Sequence, residues 1–474
     1  MKALLLHPIV PFRVLWGKFH RAGGFILPIG LLSIASYAKR QGFDVEICDT
    51  GVVGLTEIAL RDYLKKSNYD VIGIQCFTNT IAYSFETAKL CKEVLPDATI
   101  VLGGVHATIL PEQSLKECVF ADIAVIGEGE ETFVEILKWK RGEVASLENI
   151  KGIVYKKSSG IIRNASRQPI EKLDEVSLPD YSLLPLGLYL PHPTQCRKTP
   201  AFPVIASRGC PYSCIFCSAS IVHGKKLRYR TMDNLMKEID VLVNDYGAKS
   251  IFFQDSSLTT NRKFVEEFCH KLIAEKKNLE WMCNARVDQV DLPLLKLLKK
   301  SGCWQINYGI ESGNEESLLR LKKNQTLKQI EEAVRLTKKA GLSIMAFYIL
   351  GLPGEDELMV LNTIKLAKKL ATETALFYLP IPYPGTELMQ YCRDSGGLRK
   401  DSQWKDYSAV DFSNPIYINP LLGKEKMIRL YNHAIKSYYL SPKVVLSVMK
   451  SIKSKDDVLR YVRAIKALLG IWFN

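Results

Sequence analysis

Short apolar runs alternate with longer amphipathic stretches along most of this chain. Over residues 1–138 the apolar runs are KALLLHPIV, DVEICD, DVIGIQC, TIVLGG and IAVIG. Between them lie IGLLSIASYAKRQG, LTEIALRDYLKKS, IAYSFETAKLCKEVL and GEETFVEILKWKRG, with apolar residues at helical spacing. Strands separated by helices predict an α/β domain built on a doubly wound parallel sheet. The pattern changes over 139–195. IKGIVYKKSSGIIRNASRQPI predicts a hairpin turning at Ser159-Gly160, and LPDYSLLPLGLYLPHPTQ an interdomain linker punctuated by proline. A second β/α series fills 196–395, with strands FPVIAS, SIFFQD, LEWMCNA, WQINYGIES, SIMAFYIL and TALFYLP, each followed by a helical stretch. Six units are too few for a full eight-stranded barrel. The pattern leaves open a six-stranded partial barrel and a second doubly wound sheet. Residues 396–474 read as a helical C-terminal region, including KEKMIRLYNHAIKSYYL and DDVLRYVRAIKALLGIWF.

Composition narrows the class. At 24% charged and 47% apolar residues the chain reads as an ordinary globular protein. No apolar run approaches the ~20 residues of a transmembrane helix, and MKALLLHPIVPF reads as a first strand, not a signal peptide. Net charge is +14, and residues 421–474 hold eleven Lys/Arg against three Asp/Glu, a local excess of +8. Such a tail suits nucleic acid, an anionic membrane surface, an anionic substrate, or simply a solvated helical face. Nine of the twelve cysteines are scattered and read as small core residues. The other three are close together, and a reducing, cytoplasmic setting points them to metal, not disulfides.

Those three are Cys210, Cys214 and Cys217 in CPYSCIFC, on a loop directly after the first strand of the second series. A 4Fe-4S cluster is normally held by four thiolates. Three leave one iron with an open position, as a catalytic zinc keeps one open. The rival reading closes a zinc site with His223. In the first series, the strand ends carry Gly103, Gly104, His106 and Thr108 in GGVHAT, and Gly127, Glu128 and Gly129 in GEGEE. Ligands of doubly wound sheets sit beyond the carboxyl ends of strands; tight strand-to-helix turns would use the same glycines.

Cys-x3-Cys-x2-Cys is the motif of the radical SAM enzymes, and the chain resembles their cobalamin-binding-domain subfamily over residues 1 to about 390. The resemblance implies a partial (β/α)6 barrel. It implies a 4Fe-4S cluster on Cys210, Cys214 and Cys217, whose fourth iron takes the amino and carboxylate groups of S-adenosyl-L-methionine (SAM) and whose electron yields a 5'-deoxyadenosyl radical. Phe216 matches the aromatic position near the adenine. Gln254 and Asp255 in FFQDSS match contacts to the SAM amino group or ribose, and Arg286 matches a partner of its carboxylate. Glu311 and Ser312 in GIESG suit the ribose hydroxyls or amino group; ILGLPGE and PYPGTE complete the match.

The first domain resembles a cobalamin-binding domain through LPIGLLSIASYAKRQGFDVEICD, GGVHAT and VIGEGEETF, with Gly103, Gly104, His106, Thr108, Gly127, Glu128 and Gly129 as the cobalamin-side residues. It departs from methionine synthase-type domains, because no Asp-x-His-x-x-Gly follows the first strand. The resemblance implies cobalamin-dependent methylation of an unactivated carbon in a small-molecule or lipid substrate. Radical cyclisation or oxygen insertion, as in anaerobic protoporphyrin ester cyclases, is the alternative. A low-potential donor such as flavodoxin or ferredoxin is implied, and the basic C-terminal region suits peripheral membrane contact. A tRNA methylthiotransferase would need a second cysteine triad in the first domain. Cys48, Cys76, Cys91 and Cys118 are dispersed, so no nucleic-acid partner is expected.

Overall fold

Strands that are apolar on both sides need cover on both faces, which parallel pairing with crossover helices provides. In the computed structural model, which describes residues 1–17, 23–176, 178–452, 454, 456–459, 461 and 462, the first series forms seven strands. They are β1 (Lys2–His7), β2 (Asp44–Asp49), β3 (Val71–Gln75), β4 (Thr99–Gly103), β5 (Ile123–Val125), β6 (Ile153–Lys157) and β7 (Gly160–Arg163). Their order is β2-β1-β3-β4-β5-β6-β7. The first five pair in parallel, β6 runs antiparallel to β5, and β7 antiparallel to β6. Winding reverses between β1 and β3, the place where such sheets bind ligands.

The hairpin read at Ser159-Gly160 exists, and it extends the first sheet past the boundary read at residue 138. Its first strand pairs Ile153 with Val125 and Tyr155 with Ile123. Ile153, Val154 and Tyr155 are buried there, so the hairpin covers a sheet edge that would otherwise stand open. By compactness the first unit comprises residues 1–17, 24–190 and 219–238, and the second comprises 191–218 and the chain from Ile239 onward.

The second series supplies β8 (Ala201–Val204), the two-residue β9 (Ser207–Arg208) and β10 (Arg228–Tyr229), β11 (Ser250–Phe253), β12 (Glu280–Ala285), β13 (Cys303–Glu311), β14 (Ser343–Ile349) and β15 (Thr374–Tyr378). Six of these make one parallel sheet in the order β15-β14-β13-β12-β11-β8. The order never reverses, which excludes a second doubly wound sheet and describes a barrel left open between β8 and β15. Its core includes Phe253, Phe268 and Trp281, packed edge to face at centroid distances of 5.2, 5.3 and 5.8 Å. Helices Gly423–Tyr439 and Pro442–Ser451 follow. Residues 463–474, the end of the stretch DDVLRYVRAIKALLGIWF, lie outside the described residues. Among the described residues no helix is long and apolar enough to cross a membrane.

Candidate active site

In the second unit the cysteine loop leaves the first strands through Gly209, at φ +96°. Cys210, Cys214 and Cys217 are half-buried, whereas the other nine cysteines are buried. The loop is pinned by backbone bonds: Ile215 N donates to Leu321 O at 3.2 Å, and Leu388 N to Ile215 O at 2.9 Å. Ile215 and Phe216 pack with Leu321, Leu352, Leu388 and Tyr417. A rigid, apolar-backed loop thus presents three partly accessible thiols.

Two buried cations stand beside it. Lys323 reaches Glu311 at 2.9 Å and lies over the Phe216 ring, 5.8 Å from its centroid. Burial alone would lower the Lys323 pKa, but Glu311 and Cys214 outweigh it and leave it raised. Burial leaves the Cys214 thiol pKa raised, and Lys323 and Arg286 pull it down only in part. Cations beside a thiol favour the thiolate that binds iron. Arg286 forks onto Asp288 with two bonds of 2.9 Å, donates to Lys323 O at 2.7 Å, and stacks on Tyr212 at 3.9 Å.

Glu311 holds φ +67°, in a region that costs a bulky residue energy. The β13–β14 register shifts between Gly309 and Glu311, and such a bulge re-aims a side chain. Gly309, in the same strand, leaves room for that pair: a Cβ there would meet the ends of the Glu311 and Lys323 side chains and push them aside. Arg286, Glu311, Phe216 and Cys214 are therefore gathered, with Lys323 at their centre.

Two other expected SAM contacts, Asp255 and Ser312, point elsewhere. Asp255 is buried, and its carboxylate accepts from Ala206 N at 3.0 Å and from the Ser207 hydroxyl, which pins the approach to the cysteine loop. Burial raises its pKa to about 6 against these bonds. Ser312 is fully buried and donates to Glu355 at 3.0 Å. Glu355 also accepts from Ser317, Gly351 N and Leu352 N, which folds the GLPGE turn. Gln254 is exposed at the end of β11. Lys323 and Asp288 escaped the sequence reading, and Tyr212 and Glu355 entered it only within CPYSCIFC and ILGLPGE, with no role of their own. The doublet Lys322-Lys323 gives no sign that one lysine pairs with Glu387 on the surface while the next is buried.

In the first unit, Gly104 at φ +104° brings its backbone against Cys76, where a Cβ would lie 2.9 Å from the carbonyl oxygen. His106 is buried, with Nδ1 3.3 Å from Thr78 Oγ1. Burial lowers its pKa to about 4, so the ring is neutral. Thr108 Oγ1 accepts from Gly127 N at 3.0 Å, joining the GGVHAT and GEGEE loops. Gly129 opens the helix Gly129–Lys140 against Ile34. The Glu128 carboxylate is engaged by Arg228, with two bonds of 2.9 and 2.8 Å. Asp49, at the end of β2, accepts from Tyr189 at 2.9 Å. His223, the fourth ligand a zinc site would use, lies 3.9 Å from Glu128. Among the described residues no three His, Cys, Asp or Glu converge as a single-ion site.

Two family models match. One, described as the radical SAM superfamily, covers residues 204–367, and the other, the B12 binding domain, covers 19–137. A protein described as an uncharacterized methyltransferase of Pyrococcus horikoshii is 33% identical over 94% of this chain and 94% of its own. The anaerobic magnesium-protoporphyrin IX monomethyl ester cyclase of Cereibacter sphaeroides is 28% identical over 93% of this chain and 70% of its own. The fold is similar to that of TsrM, a radical S-adenosylmethionine methyltransferase of Kitasatospora setae solved with cobalamin and a 4Fe-4S cluster. The TM-score is 0.73 and the identity 15%, over 99% of this chain and 100% of that one.

Proposed function

This chain belongs to the radical SAM superfamily, in the subfamily that carries a cobalamin-binding domain, and we propose that it methylates an unactivated carbon of a small-molecule or lipid substrate. It is an enzyme whose cofactors are a 4Fe-4S cluster, SAM and cobalamin. The observation that carries the reading is the gathering of three half-buried cysteines with Lys323, Arg286, Glu311 and Phe216. When bound, the cluster supplies the electron that cleaves SAM, and cobalamin carries the methyl group.

The chain's residues do the rest by position and charge. Cys210, Cys214 and Cys217 hold the cluster. Lys323 and Arg286 offset thiolate charge and offer donors to the SAM carboxylate. Glu311 is held at the site by Lys323 and accepts from the SAM amino group or ribose. Phe216 offers an apolar face to the adenine, and exposed Gln254 takes a ribose contact. The loops at Gly103, Gly104, Thr108, Gly127 and Gly129 approach the corrinoid with backbone, beside neutral His106.

A second reading rests on the likeness to the ester cyclase over 93% of this chain: the same cofactors would close a ring. Product analysis separates the two. Methylation forms S-adenosylhomocysteine together with 5'-deoxyadenosine as substrate gains a methyl group; cyclisation forms 5'-deoxyadenosine without S-adenosylhomocysteine. The electron comes from a flavodoxin- or ferredoxin-type donor, in the reducing cytoplasmic setting that points the clustered Cys210, Cys214 and Cys217 to metal. Peripheral contact with an anionic bilayer is supported by exposed Val445, Leu446 and Met449 on the helix Pro442–Ser451, beside Lys443 and Lys450. Flotation with liposomes tests it: binding that ignores anionic lipid content would discard it.

A further inference from the structure

Glu128 reads from sequence as a corrinoid contact, yet its carboxylate is turned inward and occupied. Arg228, with 2% of its side chain exposed, forks onto it and also donates to the carbonyls of Ile170 at 2.5 Å and His223 at 2.9 Å. Glu128 accepts in addition from Ile170 N at 2.7 Å. Arg228 belongs to the segment 219–238, which starts one residue beyond Ser218 and so two beyond Cys217, yet folds with the first unit. Two more ties hold that segment. Buried Arg230 and Glu238 pair, with Tyr181 donating to Glu238 at 2.6 Å. Thr231 donates twice to Asp174, at 2.9 and 2.6 Å. The segment's first helix, Ala219–His223, packs on the helix Val105–Ile109, which carries His106 and Thr108.

The backbone leaving Cys217 is therefore fastened to both loops on the corrinoid side of the first sheet, and those loops are joined to each other by Thr108 and Gly127. A buried ion pair is weak evidence of stability, but losing one partner strands a charge in the interior. This argues for geometry as its role. We propose that Glu128 and Arg228 are positioning residues that tie the backbone after the third cysteine to the corrinoid-side loops, so that corrinoid and cluster each strengthen the other's binding. Each cofactor orders the same segment, so the second to arrive finds it ordered already. Linkage makes the effect equal in both directions. The inference rests on the cofactor reading above.

The test titrates hydroxocobalamin into the full chain under anaerobic conditions, with and without a reconstituted cluster, and in parallel follows iron loss to a chelator with and without hydroxocobalamin. The expected result is about a tenfold tightening of hydroxocobalamin by the cluster, with iron retained longer when the corrinoid is present. Arg228→Met brings the ratio to about one, and Glu128→Gln also abolishes the ratio. Arg228→Lys, which keeps the charge but not the fork, gives an intermediate ratio and carries the test if Arg228→Met fails to fold. A ratio of one in the wild-type chain, or an undiminished ratio in the variants, overturns the proposal. Wild-type protein that retains no iron or no hydroxocobalamin overturns the cofactor reading itself.

Discussion

Lys323 is surrounded by groups that each want its charge. Glu311 lies 2.9 Å away, the Phe216 face 5.8 Å away, and Cys214 is close enough to shift its pKa. Replacing it by Met leaves Glu311 buried without its cation, which costs about 3–5 kcal/mol. Denaturant unfolding of Lys323→Met should show that loss, and the double variant with Glu311→Gln should regain part of it. Iron retained after reconstitution should fall in the single variant, because Cys214 loses one of the two cations that pull its pKa down. Asp255 gives a pH dependence. Its folded pKa, about 6, lies above the ordinary 3.8, so the folded state binds the extra proton. Stability is greatest below about pH 4 in this contribution and falls as pH rises to about 6, by about 3 kcal/mol in all. Asp255→Asn should flatten that slope in thermal melts across the same range; an unchanged slope would refute the assignment. At this scale the cysteines were legible because their spacing has no use in an apolar core. Lys323, Asp288 and Arg228 were not, because hydropathy treats every charged residue as exposed and the partners that make burial tolerable are distant in sequence.

The elements carry the site through their ends. The bulge in β13 turns Glu311 toward Lys323, and the GLPGE turn after β14 is locked by Glu355. Both depend on the sheet beneath them, against which Phe268 of the helix Arg262–Ala274 packs through Phe253 and Trp281. Phe268→Ala should cost about 3–5 kcal/mol, read as a lower denaturation midpoint. Gly309→Ala drives a methyl into the Glu311–Lys323 pair and should weaken SAM binding in equilibrium dialysis. All six barrel strands were legible from their apolar runs, since central parallel strands are buried on both faces. The hairpin was legible as a hairpin, but not its pairing with β5. Ile153, Val154 and Tyr155 say only that one edge must be covered; which edge is decided by tertiary packing.

The whole chain joins a doubly wound sheet to an open six-stranded barrel, and its sequence order is not its spatial order. Residues 219–238 sit inside the radical SAM series yet fold with the first unit. Nothing in their composition signals this, because the ion pairs that hold them, Arg228 with Glu128 and Arg230 with Glu238, become visible only in the fold. Cys214→Ala should abolish both the brown colour and SAM cleavage while leaving hydroxocobalamin bound, and retained cleavage would remove the cluster from the account. One chain should carry both metallocofactors. The most direct test is anaerobic purification and reconstitution, with iron, sulfide and corrinoid measured alongside the visible spectrum. The expected content is about four irons and four sulfides with one corrinoid per chain. Iron without corrinoid after cobalamin is supplied, or corrinoid without iron, would contradict it.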